Sequence, residues 1–388
     1  MQKTRNIGRN IPNKILNALL GYVKTTNIPM WITMLSATVF SCLLVYSATW
    51  QNGNRNIIVQ MSACALGYTG AIILSTMDYE QLGELWYIVG GGCILLVAAT
   101  YVLGFTSYEQ ADDRAWLNIF GVSFQPSELM KIGFIITFSY HLAKVVKAGQ
   151  INAVPQLLML LGHAMIPIGM ILLQGDTGTA MVFMLMTVIM FFSSGISWKY
   201  IAAAFVLFLA ALPILWEYVI PEFQKQRILV VYNPQAGDEA DGLYQQTLGR
   251  MALGSGGVSG QGWRQGQMAQ SEIIPEDYTD FIFTVAGEEF GFIGTSLIVI
   301  ILLTIMIFTL RTAFKARDPM GRFMCMGFFG IVAIQTIFNL GMCLVVLPVI
   351  GITLPFFSAG GSSSMCLYFG FGLVLSVYAR QNEVSLQI

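Results

Sequence analysis

The chain has 388 residues, of which 55% are hydrophobic and 11% charged, and its formal net charge is −1. Soluble globular proteins carry roughly 25% charged residues, so this composition excludes an ordinary soluble domain and predicts a polytopic membrane protein. Because the net charge is near zero, the protein has no overall positive potential that would attract nucleic acid, and we expect no nucleic-acid partner. The six cysteines lie in apolar stretches, which favours packing roles over disulfides or metal ligands.

Ten apolar runs follow one another along the chain, and a helix of about 20 such residues crosses a bilayer. The fifth and sixth runs are nearly continuous and would make a helix of about 63 Å, so we expect a break at residues 174–178. We predict one all-α polytopic membrane domain over residues 1–388. Its ten spans lie near residues 29–49, 57–75, 87–105, 126–146, 154–173, 178–195, 200–216, 281–310, 323–343 and 361–379.

Basic residues predict the orientation of these spans. With a cytoplasmic N-terminus, the inner segments hold 13 of the 20 Lys and Arg, as the positive-inside rule requires. Residues 1–28 then form a basic cytoplasmic tail, both termini are cytoplasmic, and residues 217–279 form one large extracytoplasmic loop. A structureless loop of this length is unusual unless it is functional. Its apolar side chains predict that it packs against the membrane surface.

The large loop ends where the eighth span begins, and Asp280 lies at that boundary. A carboxylate between water and hydrocarbon is costly to bury, and an acid whose charged form is disfavoured can act as a general base near neutral pH. Alternatively, Thr279 caps the helix and Asp280 lies at the positive end of its dipole. Helical spacing places Glu288 on the same side, facing a cavity or paired with Lys131 or a buried arginine.

Further polar residues lie at the predicted outer ends of the spans. Glu128 and Lys131 are i,i+3 neighbours that can pair locally, and Lys131 can also reach a phosphate as a point charge. Arg114, in the loop before them, adds a second cation. Asp176 lies in the break between the fifth and sixth spans, where a tight turn with a self-directed hydrogen bond is the simpler interpretation. Arg227 of the large loop is a further candidate for substrate binding.

Two segments are rich in small residues. Residues 254–262 are glycine-rich but lack the Lys-Ser/Thr ending of a P-loop. They form either a flexible loop or a close backbone approach to a saccharide or phosphate. Residues 354–364 either let helices pack closely or supply hydroxyls, including that of Ser362, to an external cavity.

Together these segments resemble the SEDS family of cell-wall polymerases, which includes RodA, FtsW and SpoVE. The resemblance extends from the first span to the last, and the run at 260–266 is more similar to the RodA branch. The stretches that carry the resemblance are residues 125–131, 176–180, 254–257, 275–291 and 354–363.

The resemblance implies polymerisation of lipid II into glycan strands on the outer face of the bacterial cytoplasmic membrane, for cell elongation and shape. It implies that Asp280 is the essential external aspartate and accepts the proton of the attacking hydroxyl. Cations or a divalent metal, Mg²⁺ or Mn²⁺, stabilise the leaving diphosphate, and no organic cofactor is expected. The expected partners are a class B penicillin-binding transpeptidase and elongation-complex membrane proteins. The candidate substrate-binding residues are Glu128, Lys131, Arg114, Arg227, Asp176, Glu288 and Ser362.

Two other functions compete with the polymerase. A flippase for a lipid-linked precursor needs polar groups through the full membrane depth, whereas the ionisable groups here concentrate toward the predicted outer face. A scaffold that only binds a transpeptidase does not require Asp280. For the transpeptidase contact we expect the outward faces of the eighth and ninth spans, with Ile298, Leu302, Ile305 and Phe338 as apolar surface.

Overall fold

The computed structural model of the chain describes residues 21–106, 114–119, 121–232, 241–271, 273–274 and 277–383. Most of the predicted basic tail, residues 1–20, lies outside the described residues. So do residues 233–240, 272 and 275–276 of the predicted large loop.

The ten predicted spans are all helices. Within the described ranges, nine helices are long and apolar enough to cross a bilayer, and a tenth, Thr177–Ser193, has 17 residues. Four shorter helices lie between them. In chain order the helices are α1 Ile28–Thr49, α2 Arg55–Thr76, α3 Tyr79–Glu84, α4 Trp86–Leu103, α5 Pro126–Lys147, α6 Val154–Leu173, α7 Thr177–Ser193, α8 Trp198–Ile214, α9 Glu222–Tyr232, α10 Asp241–Ser255, α11 Gln267–Gln270, α12 Ile282–Phe314, α13 Pro319–Cys343 and α14 Gly361–Glu383.

Local sequence explains where several of these helices begin and end. Pro126 opens α5, where a missing N–H costs nothing because the first turn has no partner for it. The predicted break between the fifth and sixth spans is present. There α6 ends at Leu173, Gly175 adopts a φ of 87°, and the Asp176 side chain accepts a hydrogen bond from the Thr179 amide at 2.8 Å.

The core of the bundle is formed by α5, α13 and α14, whose apolar windows are each 72% buried. Glycines let α2 and α14 approach closely, since a Cβ on Gly372 would lie 2.7 Å from the Ala71 Cα atom. By contrast, α8 has no buried residue among those described and stands at the edge of the bundle. The predicted outward face of α12 is wrong, because Ile298, Leu302 and Ile305 are buried. The exposed stripe of this helix is instead Ile293, Leu297, Ile300, Leu303 and Ile307.

The predicted large loop is largely helical, which the sequence pattern did not indicate. It contains α9, α10 and α11. The Gln246 side chain of α10 donates to the Met342 and Leu347 carbonyls at 3.0 and 2.7 Å, which satisfies the C-terminal end of α13. A two-stranded antiparallel hairpin, β1 Leu117–Ile119 and β2 Val122–Phe124, precedes α5 and is a further element that we did not predict.

The two ends of the bundle differ in their polar contacts. At one end, Lys147 pairs with Asp318 at 3.6 Å and Arg380 pairs with Asp78 at 3.4 Å; we call this the Lys147 end. The first residues of α5, α7, α12 and α14 meet at the opposite end, which we call the Asp280 end. The helices that carry Glu128, Lys131 and Ser362, and those that follow Asp176 and Asp280, therefore begin at the same end of the bundle.

Candidate active site

Asp280 lies in a turn immediately before α12. The helix begins at Ile282, its N-cap is Phe281 without a side-chain cap bond, and its first turn has no acidic residue. Thr279 is therefore not the N-cap of this helix, as the alternative interpretation predicted, and Asp280 lies two residues before the first helical residue. The helical spacing that placed Asp280 and Glu288 on one side also fails, because Asp280 is outside the helix.

The main chain around Asp280 is held by buried polar side chains. Asn339 of α13 donates to the Asp280 carbonyl at 2.7 Å and to the Ile352 carbonyl at 2.8 Å. Ser358 donates its hydroxyl to the Thr279 carbonyl at 2.5 Å. These bonds fix the backbone on both sides of a half-buried carboxylate, which is the support that a preorganised catalytic group requires.

The loop between α13 and α14 joins Asp280 to the start of α7. A Cβ on Gly351 would lie 3.7 Å from Asp280 Oδ2, so the carboxylate faces this glycine. On the other side of the loop, a Cβ on Gly178 would lie 2.5 Å from the Ile350 carbonyl oxygen. The loop thus lies between the catalytic candidate and the turn that carries Asp176.

A second polar cluster forms around Gln125, which precedes α5. Its side-chain amide donates to Asp176 Oδ2 at 3.1 Å, and its backbone amide donates to Ser362 Oγ at 3.2 Å. One turn into α5, Lys131 pairs with Glu128 at 2.8 Å, and both residues are buried. The predicted local ion pair is confirmed, and four of the candidate residues lie together.

The pKa of the Asp176 carboxyl reflects its burial and the charges of this cluster. Burial raises the pKa of its carboxyl, the hydrogen bonds from Thr179 and the charge of Lys131 oppose that rise, and Glu128 adds to it. The self-directed hydrogen bond predicted for Asp176 is present as a cap of α7. The cluster therefore combines one buried cation with two acids.

The two candidate arginines have different positions. Arg227 is an exposed residue of α9, one turn after Gln224, whose side chain donates to Thr177 Oγ1 at 3.3 Å. At the other end of α9, Tyr232 donates to the Val346 carbonyl at 3.2 Å, so this helix lies across the Asp280 end. Arg114 is exposed beside the Phe105–Trp116 bridge, and no hydrogen bond or ion pair of the described residues joins it to the Gln125 cluster.

Glu288 contacts the large loop. Its carboxylate accepts the amides of Met268 and Ala269 at 2.8 and 2.9 Å, so it caps the short helix α11. The predicted ion pair with Lys131 is wrong, because Lys131 pairs with Glu128. A substrate-binding role for Glu288 stays a prediction.

The glycine-rich segment 254–262 fills a break in α12. The backbone of Gly291 leaves the helical region, with φ 64° and ψ −157°, and the segment satisfies the groups that the break exposes. The amides of Phe292 and Ile293 donate to carbonyls of the segment, and amides of the segment donate to the Glu288 and Glu289 carbonyls, all between 2.9 and 3.2 Å. The close backbone approach is present, and its partner in the structure is this helix.

Sequence reasoning missed three residues of the site. Gln125 lies in the stretch 125–131 that carries the resemblance, and Ser358 lies in the small-residue segment 354–364, but the pattern predicts a site role for neither. Asn339 is one of two amides in the apolar ninth span, and an intramembrane amide is itself a signal of an interhelical hydrogen bond. That signal was available in the sequence.

A family model for FtsW/RodA/SpoVE cell cycle proteins matches residues 27–383. The chain belongs to this family of membrane proteins. It is 30% identical over 362 residues to the peptidoglycan glycosyltransferase MrdB of Escherichia coli K12, with 92% of this chain and 95% of that protein covered. It is 32% identical over 354 residues to a probable peptidoglycan glycosyltransferase FtsW of Geobacter sulfurreducens, with 88% and 92% covered.

Solved structures share the fold. The chain resembles a protein in a structure described as "Structural coordination of polymerization and crosslinking by a peptidoglycan synthase complex", with a TM-score of 0.76, 26% identity, and coverage of 92% of this chain and 98% of that one. It also resembles the rod shape determining protein RodA of Thermus thermophilus, with a TM-score of 0.67, 26% identity, and coverage of 91% and 96%.

Proposed function

We infer that the chain carries out, at its Asp280 end, the reaction for which its relatives are named. It is a peptidoglycan glycosyltransferase that adds disaccharide-peptide units of lipid II to glycan strands. The observation that supports the assignment of the site is the pair of hydrogen bonds that the buried Asn339 and Ser358 side chains donate, because these bonds hold the backbone around the half-buried Asp280.

The proposed chemistry needs one base. The 4-hydroxyl oxygen of one sugar attacks the anomeric carbon of another, while the bond from that carbon to the diphosphate oxygen breaks. The hydroxyl proton passes to the Asp280 carboxylate, and undecaprenyl diphosphate leaves with the bonding electron pair. A positioned base of this kind typically contributes about 10²–10⁴-fold to the rate.

The leaving diphosphate needs positive charge. Lys131 is the buried cation of the Gln125 cluster, and Arg227 is the cation that α9 carries across the same end. We propose that Lys131 and Arg227 bind the diphosphate, and that Asp176 and Ser362 keep Gln125 and the start of α5 in place around it. Electrostatic stabilisation of developing charge in a dry site is usually the largest single catalytic contribution.

A divalent cation, Mg²⁺ or Mn²⁺, stays a proposal. The described residues contain no group of three or more His, Cys, Asp or Glu side chains that could form an all-protein cage. Mg²⁺ is commonly held by one or two carboxylates together with substrate phosphates. The acids Asp176 and Asp280 fit that limited role, in which the ion would neutralise diphosphate charge.

The direct test is polymerisation of lipid II by the purified chain in detergent, followed by electrophoresis of the glycan products. Ladders of glycan strands that disappear in Asp280→Asn support the proposal. The assay is repeated with the transpeptidase partner present, because a polymerase can require it. Transbilayer movement of lipid II without ladders, with the partner present, would assign the chain to the flippase class instead.

We propose that the chain lies in the bacterial cytoplasmic membrane with both termini in the cytoplasm, so that Asp280 faces outward. We propose a class B penicillin-binding transpeptidase as its partner, together with further elongation-complex membrane proteins. A crosslinking neighbour acts on new strands at high effective concentration. The exposed stripe of α12 offers the apolar surface for the partner's single span.

Cysteine substitution tests that surface. Leu297→Cys and Ile300→Cys on α12 should form disulfides with cysteines in the partner's span in native membranes. Ile32 and Ile58 are comparably exposed residues of α1 and α2 and serve as controls. Crosslinks at Ile32→Cys or Ile58→Cys, without any at α12, would contradict the proposed interface.

A further inference from the structure

A large cavity lies between α4, α5 and α6, outside the active site. Its volume is about 660 Å³, within the range of roughly 300–1,000 Å³ that small-molecule sites occupy. Most of its wall is apolar, and its polar side chains include Thr137, His141, Lys144 and His163. None of these side chains belongs to the candidate active site.

The cavity is left open by glycine on the α4 side. A Cβ on Gly91 would have no other atom within 4 Å, and a Cβ on Gly90 would meet only the Thr137 methyl group, at 3.3 Å. Both glycines line the cavity. Gly90 and Gly91, the two of three consecutive glycines that line the cavity, therefore leave open a space that larger side chains on α4 would occupy.

The cavity runs along α5 from Lys144 to Met130. Fourteen residues of helix rise about 21 Å, which exceeds the hydrocarbon depth of one leaflet, about 15 Å. The cavity can therefore take a lipid chain over the whole depth of one leaflet.

The Lys147 end of the cavity is positively charged. Lys144 is exposed, and its ammonium lies 4.4 Å from the centre of the Tyr140 ring. No carboxylate of the described residues lies within salt-bridge distance of it, whereas the nearby Lys147 pairs with Asp318. Trp86 and Tyr87, 47% and 59% exposed, line the same end, and such aromatic side chains prefer the level of the lipid headgroups.

Two hydrogen bonds between side chains hold the two histidine rings in the cavity wall. His163 Nε2 lies 3.2 Å from Thr137 Oγ1, and His163 Nδ1 lies 3.2 Å from His141 Nδ1. The ring of His141 is thereby held one turn from Lys144 on the same face of α5. Its Nε2 atom and the Lys144 ammonium can together contact one anionic group.

We propose that this cavity binds an anionic phospholipid of the leaflet at the Lys147 end, the leaflet opposite to Asp280. Its phosphate contacts Lys144 and His141 beside Trp86 and Tyr87, and one acyl chain fills the space along Gly90 and Gly91. A zwitterionic lipid fills the same space but adds a cation next to Lys144, so the site prefers a headgroup with net negative charge.

The test uses the full chain in nanodiscs that contain phosphatidylcholine and phosphatidylglycerol in equal amounts. The protein is released into mild detergent, and retained lipids are counted by native mass spectrometry. We expect phosphatidylglycerol to be retained about tenfold more than phosphatidylcholine, a preference typical of one added charge contact in a partly buried site. Equal retention of the two lipids would overturn the proposal.

Two pairs of variants locate the lipid. Gly91→Leu fills the cavity, and Gly92→Leu is its control, because Gly92 also has open space but does not line the cavity. Lys144→Gln removes the headgroup contact, and Lys147→Gln is its control. Gly91→Leu should abolish retention and Lys144→Gln should reduce the preference to about twofold, while both controls retain the wild-type lipid count and thermal stability.

Two results would contradict the cavity as the binding site. If the Gly91→Leu and Gly92→Leu variants retain the same amount of lipid, the acyl chain does not occupy the cavity. If millimolar inorganic phosphate displaces phosphatidylglycerol, only the anion is recognised and the phospholipid assignment fails.

Discussion

The Asn339 side chain donates a hydrogen bond to the Asp280 carbonyl at 2.7 Å, although the two residues are 59 positions apart. The same amide group donates to the Ile352 carbonyl. One buried side chain of α13 thus joins the turn before α12 to the loop before α14. The acid that we propose as the base is thus positioned by a residue that has no part in the proposed proton transfer.

Asp280→Asn should abolish polymerisation and leave the fold intact. The amide has nearly the same volume as the carboxylate, and Asp280 is not the N-cap of α12, so we expect a change in stability below about 1 kcal/mol. The loss of the base should lower the turnover number by about 10²–10⁴-fold. Lipid II polymerisation and thermal unfolding of the purified protein measure the two effects.

A glycan yield near that of the wild type from purified Asp280→Asn would show that another group accepts the proton. Glu217→Gln is the control, because it removes the charge of an exposed acid that belongs neither to the Gln125 cluster nor to the turn of Asp280.

Asn339→Leu should lower both stability and turnover. The change removes the amide donor of the Asp280 and Ile352 carbonyls, and an unsatisfied buried polar group costs roughly 1–3 kcal/mol. Turnover should fall because the backbone of Asp280 loses its support. Thermal unfolding and the turnover number at saturating lipid II are the measurements. Ile337→Ala, on the exposed side of the same helix, is the control.

If Asn339→Leu lowers the melting temperature but keeps the wild-type turnover, Asn339 only stabilises the fold and does not position the acid.

Lys131→Met should destabilise the protein, because it leaves the buried Glu128 carboxylate without its partner. Breaking a buried pair in this way costs about 3–5 kcal/mol. Adding Glu128→Gln should restore most of the stability, since it removes the unpaired charge. Thermal unfolding of the single and double variants measures this coupling.

The activity of the stable double variant separates the two roles predicted for Lys131. If Lys131 also binds the diphosphate, the double variant stays inactive or needs more lipid II. Normal polymerisation by Lys131→Met/Glu128→Gln would restrict Lys131 to the ion pair.

The spans and the Asp280 boundary could be predicted because each depends on local composition. Hydropathy alone locates all ten helices, and the end of a polar loop places Asp280 where apolar sequence begins. The pairing of Glu128 with Lys131 follows from spacing within one helix.

Contacts between distant segments could not be predicted in the same way. Nothing local indicates that Glu288 caps the four-residue helix α11, because so short a helix has no periodicity. The partner of segment 254–262 could not be predicted from the sequence either, since the break at Gly291 is visible only in three dimensions. Glycine runs indicate that backbone approaches something closely, but not what it approaches.

Gly260→Ala should disrupt the support of the α12 break. The backbone of Gly260 has a φ of 82°, and a Cβ there would collide with the Glu289 carbonyl. The left-handed conformation alone costs about 1–2 kcal/mol for a residue with a Cβ, and the collision forces the segment away from α12. Gly254→Ala is the control, because a Cβ on Gly254 meets no other atom within 4 Å.

We expect Gly260→Ala to lose thermal stability and polymerisation together, and to show faster hydrogen exchange at the Phe292 and Ile293 amides. Gly254→Ala should match the wild type in all three measurements. If Gly260→Ala keeps slow exchange at those two amides, segment 254–262 does not stabilise the break.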